Sequence, residues 1–136
     1  MDIISFTLNA IITVGLAGLI GLEREMRKKS AGMRTHAIVA LASYVFTTVA
    51  LNYFKPEDAA RIIANILVGM GFIGAGAIVK EYNEVIGVTT AATLWFSAAL
   101  GVSIGLGYVE IALISTLIVL ILLLLKFIER KIFHGS

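Results

Sequence analysis

Residues 21–36 read GLEREMRKKSAGMRTH, seven charged side chains and a histidine between two long apolar runs. A helix that crosses a bilayer needs about 20 mostly apolar residues, and the chain on both sides of this stretch supplies them. The stretch is therefore a polar connection between two membrane spans. Composition agrees: of 136 residues, 59% are hydrophobic and 15% charged, with a mean hydropathy of +0.97. A soluble domain is about a quarter charged, so the chain falls in the membrane class.

Working outward from the charged stretch, five apolar runs are long enough to span, at 3–22, 37–54, 62–79, 88–106 and 111–127. The second, third and fifth sit near the short end of the usual range. The fourth and fifth are joined by a very short loop around GYVE and should form an antiparallel hairpin. Backbone groups in hydrocarbon must be satisfied within each segment, which helices achieve. Barrel strands would alternate polar and apolar residues, and these runs do not. The expected fold is all-α: a polytopic bundle of about five transmembrane helices over residues 1–128, with a short cytoplasmic tail at 129–136. The first run has no basic segment before it and is long enough to span, so a cleavable signal peptide is not expected.

Lys and Arg set the orientation. Arg24, Arg27, Lys28, Lys29 and Arg34 fall in the first connection, Lys55 and Arg61 in the second, Lys80 in the third, and Lys126, Arg130 and Lys131 at the end. With the first connection in the cytoplasm, nine of the eleven basic residues face inward. The N-terminus is then outside and the C-terminus inside. This rule accounts for the basic residues but has no use for Glu23, Glu25 or His36.

The runs differ in their faces. Thr90, Thr93, Ser97, Gly101 and Gly105 share one side of the fourth helix; His36, Ala40, Ser43, Thr47 and Ala50 share one side of the second. Asn9, Thr13, Ala17, Ile20 and Arg24 make a stripe on the first, and Asn65, Gly69, Gly76 and Lys80 on the third. Lipid offers such groups nothing, so all four stripes are expected to turn inward. The fifth run is nearly all Leu, Ile and Val, apart from Ser115 and Thr116, and reads as a peripheral helix.

The third run holds GMGFIGAG, with Gly69, Gly71, Gly74 and Gly76. Two readings stand: close helix packing, or a break in the helix that frees carbonyl oxygens for a cation. Glu23, Arg24 and Glu25 lie where the first helix leaves the membrane, and Arg34, Thr35 and His36 where the second enters. A short connection brings these ends together as a charged cytoplasmic cluster. The cluster reads as an ion-pair anchor, or as a site for a cation or an anionic partner. Glu23, Glu25, Glu81 and Glu84 are the candidate metal ligands, since magnesium prefers oxygen donors. Arg24 and Arg34 oppose a cation there. Thr89, Thr90 and Thr93 beside Trp95, with Ser97, form a polar or small intramembrane face, and Asn65 needs a hydrogen-bonding partner. No nucleophile–base pair, Walker motif or zinc motif is present, so no enzymatic activity is expected. No basic patch with interleaved aromatics supports nucleic-acid binding.

These motifs together carry a resemblance. GLIGLERE, AGMRTHAIVAL, RIIANILVGMGFIGAGAIVK and GVTTAATLWFSAALGVSIGLG, in this order over residues 15–107, resemble the MgtC/SapB family of bacterial membrane proteins. The family's hallmark positions correspond to Gly18, Gly21, Glu23, Arg24, Arg34, Thr35 and His36. Further along they correspond to Arg61, Gly69, Gly71, Phe72, Gly74, Gly76 and the run from Thr89 to Trp95. The resemblance implies a multi-pass protein of the bacterial inner membrane, linked to adaptation to low magnesium and, in pathogens, to survival inside host cells. It implies a regulatory role through contacts with other membrane proteins; cation transport is the alternative. No carboxylate lies inside the five runs, whereas cation pathways commonly carry one. Longer members carry a soluble cytoplasmic domain after the last span, and the resemblance here covers the transmembrane part. The bilayer and a second copy in a homodimer are the expected partners. No cofactor is required, though magnesium is compatible.

Overall fold

The computed structural model describes residues 2–133, with side chains described through Leu125. Helix α1 spans Ile3–Met26. The Asp2 carboxylate caps it, accepting from the Ser5 hydroxyl at 2.7 Å and from the Ser5 and Ile4 N–H groups at 3.1 and 3.3 Å. These bonds, the Ser5 hydroxyl foremost, hold the Asp2 carboxyl below its ordinary pKa. Helix α2 spans Met33–Tyr53 and α3 Pro56–Gly76. Pro56 suits the first turn, where its missing N–H is not needed, and Glu57 and Asp58 there complement the helix dipole. Strands β1 (Val79–Glu81) and β2 (Glu84–Ile86) form a small antiparallel hairpin pairing Val79 with Ile86. Helices α4 (Val88–Gly105) and α5 (Val109–Phe133) complete the chain.

The all-α bundle expected from the sequence is present, with three differences. The hairpin was not anticipated, and Val79, expected inside the third span, opens β1. The glycine run leaves α3 unbroken from Pro56 to Gly76, so the broken-helix reading falls. The helix α5 runs on to Phe133, through part of the expected tail at 129–136; residues 134–136 lie outside the described residues. Helices α1 to α4 are each long and apolar enough to cross a membrane. The apolar part of α5 with described side chains, Val109–Leu125, is shorter. It exposes Ile111, Ile114, Leu117, Ile118 and Ile121, the surface of a peripheral helix.

The centre is made by α1, α2 and α4, with α3 laid on α2 and α4, and α5 on α1 and α4. Ile20, Tyr44, Leu100 and Ile104 form the main core. The Tyr44 hydroxyl donates to the Phe6 carbonyl at 3.1 Å, tying α2 to α1. Three of the four expected stripes turn inward: Thr13, Ala17, Ile20 and Arg24 on α1; His36, Ala40, Ser43, Thr47 and Ala50 on α2; and Thr90, Thr93, Ser97 and Gly101 on α4. Their hydroxyls mostly bond the preceding turn of their own helix, as Thr13 to Asn9 at 2.7 Å and Ser97 to Thr93 at 3.0 Å. Two of them form no hydrogen bond among the described residues: the buried hydroxyl of Thr47 and the hydroxyl of Thr90.

The α3 stripe does the opposite. Asn65, Gly69 and Gly76 are exposed, because α3 meets its neighbours through Met70, with Ile66 and Leu67 beside it, and through Gly74 against Ala91. The inward face is the one that packs on its neighbours, and the outer face keeps the large Phe72 and Val68 beside the small and polar groups.

The seam between α2 and α4 is tight because of glycine. A Cβ on Gly101 would run into the Ala40 carbonyl oxygen and lie 2.8 Å from the Tyr44 nitrogen. Such close backbone approach is what small residues allow in membrane bundles. Around Gly15, by contrast, nothing lies within 4 Å. We therefore expect Gly101→Ala to cost about 1–3 kcal/mol through overpacking. Gly15→Ala should be neutral or slightly stabilising, since Ala favours helix by about 1 kcal/mol. Unfolding of the two variants in the same detergent, followed by circular dichroism, checks the contrast.

Candidate functional site

The charged stretch folds into the junction of α1, α2 and α4. Arg24, in the last turn of α1, is 2% exposed. Its guanidinium pairs with Glu23 through Nε and Nη2, and Arg27 Nε pairs with the other oxygen of the same carboxylate. One carboxylate thus serves two guanidinium groups. The Glu23–Arg27 pair follows from i,i+4 spacing, the signal by which Arg27 belongs with the cluster. A buried arginine demands such a counter-ion, because an unpaired charge out of water is costly.

Glu25 has a different task. Its Oε2 accepts the Met33 N–H at 3.0 Å. Gly32, the residue before α2, offers no side-chain cap, so Glu25 caps α2 from α1. A Cβ on Gly21 would overlap the backbone of Gly32 and Met33, which is how the two helix ends come together.

His36, in the first turn of α2, is fully buried. Its Nδ1 lies 2.9 Å from the Gly32 carbonyl oxygen and its Nε2 3.0 Å from the Thr93 hydroxyl on α4. A carbonyl only accepts, so Nδ1 carries a hydrogen. The Thr93 hydroxyl also lies 2.9 Å from the Thr90 carbonyl. With a neutral ring, that hydroxyl donates to Nε2; with a protonated ring, Nε2 donates and the hydroxyl turns to Thr90. Either way the ring is satisfied, and α2 is clasped to α4.

Other expected members are not drawn in. Arg34 and Thr35 are exposed and line a shallow cleft of about 430 Å³ with Glu25, Lys29 and Gly32. Arg34 forms no ion pair among the described residues, so the expected meeting with Glu23 or Glu25 does not occur. The four candidate metal ligands are not gathered. Glu23 is held by two arginines and Glu25 by a backbone N–H. Glu81 and Glu84 face each other across the exposed hairpin. Among the described residues no group of three or more His, Cys, Asp or Glu could hold a metal. On α4, Thr90, Thr93 and Ser97 face inward while Thr89 and Trp95 are exposed, so they do not line one polar path. Gly71, like Gly69 and Gly76, meets nothing within 4 Å.

A model of the MgtC family matches residues 11–131. The chain belongs to the MgtC family. It is 44% identical over 115 residues to protein MgtC of Salmonella typhimurium, covering 85% of this chain and 49% of that protein. It is 36% identical over 126 residues to YhiD of Escherichia coli, whose name gives magnesium transport as a proposed role; the match covers 87% of this chain and 59% of YhiD. A Haemophilus influenzae protein is 35% identical over 134 residues, covering 91% of this chain and 56% of its own length. The chain thus spans about half the length of the curated relatives it matches. No solved structure matches it. The membrane helices and the family together make this a multi-pass membrane protein.

Two consequences follow for the cluster. Glu23→Gln leaves Arg24 buried without its counter-ion and should destabilise the bundle by about 3–5 kcal/mol. Glu25→Gln weakens only a cap and should cost about 1 kcal/mol. Thermal unfolding of both variants in one detergent measures the difference.

Proposed function

We propose that this protein is a regulatory module of the bacterial inner membrane, acting in adaptation to low magnesium through helix contacts with other membrane proteins and with a second copy of itself. The observation that carries this reading is the outer face of α3. Asn65, Val68, Gly69, Phe72 and Gly76 fall on that helix and are all exposed, Phe72 by 87% and Val68 by 74%. Nothing lies within 4 Å of a Cβ placed on Gly69 or Gly76. A polar amide toward lipid gains a partner when another helix covers it, and flanking glycines let that helix come close. The name of YhiD, the Escherichia coli relative, supports the link to magnesium, and the basic first connection supports an inside location for the charged cluster.

Cation transport is the poorer reading. The interior hydroxyls are mostly bonded to their own helices, and among the described residues no carboxylate lies in the middle of a helix. An ion crossing there would lack ligands.

The chain has no cysteine, so a single Gly69→Cys reports on this face. We expect Gly69→Cys to cross-link between copies or to a co-purifying membrane protein in native membranes, whereas Leu117→Cys on α5 does not. Asn65→Leu should reduce that cross-linking several-fold and impair growth under magnesium limitation at unchanged protein level. Saturable magnesium flux into proteoliposomes from well-folded protein, with no cross-linking at Gly69→Cys, would overturn the reading in favour of transport.

A further inference from the structure

Between the end of α1, strand β2 and the start of α4 lies a cleft of about 290 Å³ that the preceding reading does not use. We propose that it binds a phosphoryl oxyanion, presented by an acidic phospholipid headgroup or by phosphate in solution.

Four observations converge on it. Helix α4 opens at Gly87, held at φ +90 by the hairpin, with no side-chain cap. A Cβ at Gly87 would overlap the Ala77 carbonyl, so no capping side chain can take that place. Among the described residues nothing accepts from the N–H groups of Val88, Thr89 and Thr90, which open an 18-residue helix toward the cleft. Exposed N–H groups and the positive end of the helix dipole favour an anion.

The second observation is Thr90. It is 2% exposed, it lines the cleft, and its hydroxyl has no hydrogen-bond partner among the described residues. The hydroxyl is therefore free to donate to, or accept from, a molecule in the cleft. Third, Arg24 lines the same cleft, 2% exposed, with Nε and Nη2 committed to Glu23 and Nη1 without a hydrogen bond among the described residues. Because Glu23 also serves Arg27, these three groups are net positive before Lys29, which also lines the cleft, is added. Fourth, Thr89 offers a second hydroxyl at the mouth. Glu84 is the opposing charge; it is exposed on the hairpin and makes no ion pair among the described residues. A guanidinium, an ammonium, two hydroxyls and a helix N-terminus are the donor set of a tetrahedral oxyanion, and their positive charge disfavours a metal cation.

The test uses the purified protein in a phosphate-free, uncharged detergent. One arm titrates inorganic phosphate and the other a phosphatidic acid in mixed micelles, each with chloride at constant ionic strength as control. Thermal shift and phosphorus NMR line width are the readouts. We expect saturable stabilisation in one arm, and the arm that responds identifies the source. Lys29→Gln is a rim change and Thr90→Val is near-isosteric, so both should fold as the parent does. Each should weaken binding about tenfold, the loss expected for one strong hydrogen bond or charge. Glu84→Gln should tighten it. No saturable response in either arm, or binding unchanged in both Lys29→Gln and Thr90→Val, overturns the proposal.

Discussion

The structure depends on how closely α2 and α4 can approach. Gly101 brings the two backbones together beside Ala40 and Tyr44, and the His36–Thr93 hydrogen bond ties them at the end of the bundle beside the charged turn. The remaining helices are placed against this pair: α1 through Ile20 and the Tyr44–Phe6 bond, α3 through Met70 and Leu94, and α5 along α1 and α4. In a bilayer the hydrophobic effect does not drive helices together, so packing and interhelical hydrogen bonds must do so. The α2–α4 seam supplies both.

The same seam explains the charged turn. Because His36 is drawn inward to Thr93, the start of α2 is pulled against the end of α1, and Glu25 can reach the Met33 N–H. Arg24 is then enclosed, and Glu23 becomes its obligatory partner. The turn is thus a structural closure that also carries a surplus of positive charge. Different residues of the same stretch do different work: Lys28 and Lys29 contribute charge, whereas Glu23, Glu25 and His36 contribute geometry.

Much of this was legible in the sequence where one cause dominates. Hydroxyls and glycines three and four residues apart named the inner faces of α1, α2 and α4, because in those helices small polar groups and the packing surface coincide. On α3 they do not. Asn65, Gly69 and Gly76 share a side, but α3 packs on its neighbours through Ile66, Leu67 and Met70, which take the inward position beside Leu94 and Ala98. Helical spacing gives which residues share a face, and only the neighbours decide which face turns in. The expected Arg34 contact failed for a similar reason. Glu23 had Arg24 on its own helix and Arg27 at the cap four residues on, and this i,i+4 spacing places a partner within reach without crossing the turn. The hairpin at 79–86 was hidden by its length, since three-residue strands leave little pattern beside long apolar runs. The His36–Thr93 bond joins residues 57 positions apart, and each alone gave only an inward orientation.

The central claim is that His36 and Thr93 act as one clasp between α2 and α4. A double-mutant cycle on unfolding in detergent, with His36→Leu, Thr93→Val and the pair, tests it most directly. The clasp predicts a coupling of about 1–2 kcal/mol, with the second substitution costing much less once the first is present. Strictly additive effects would mean that the two side chains are stabilised independently, and would contradict the account.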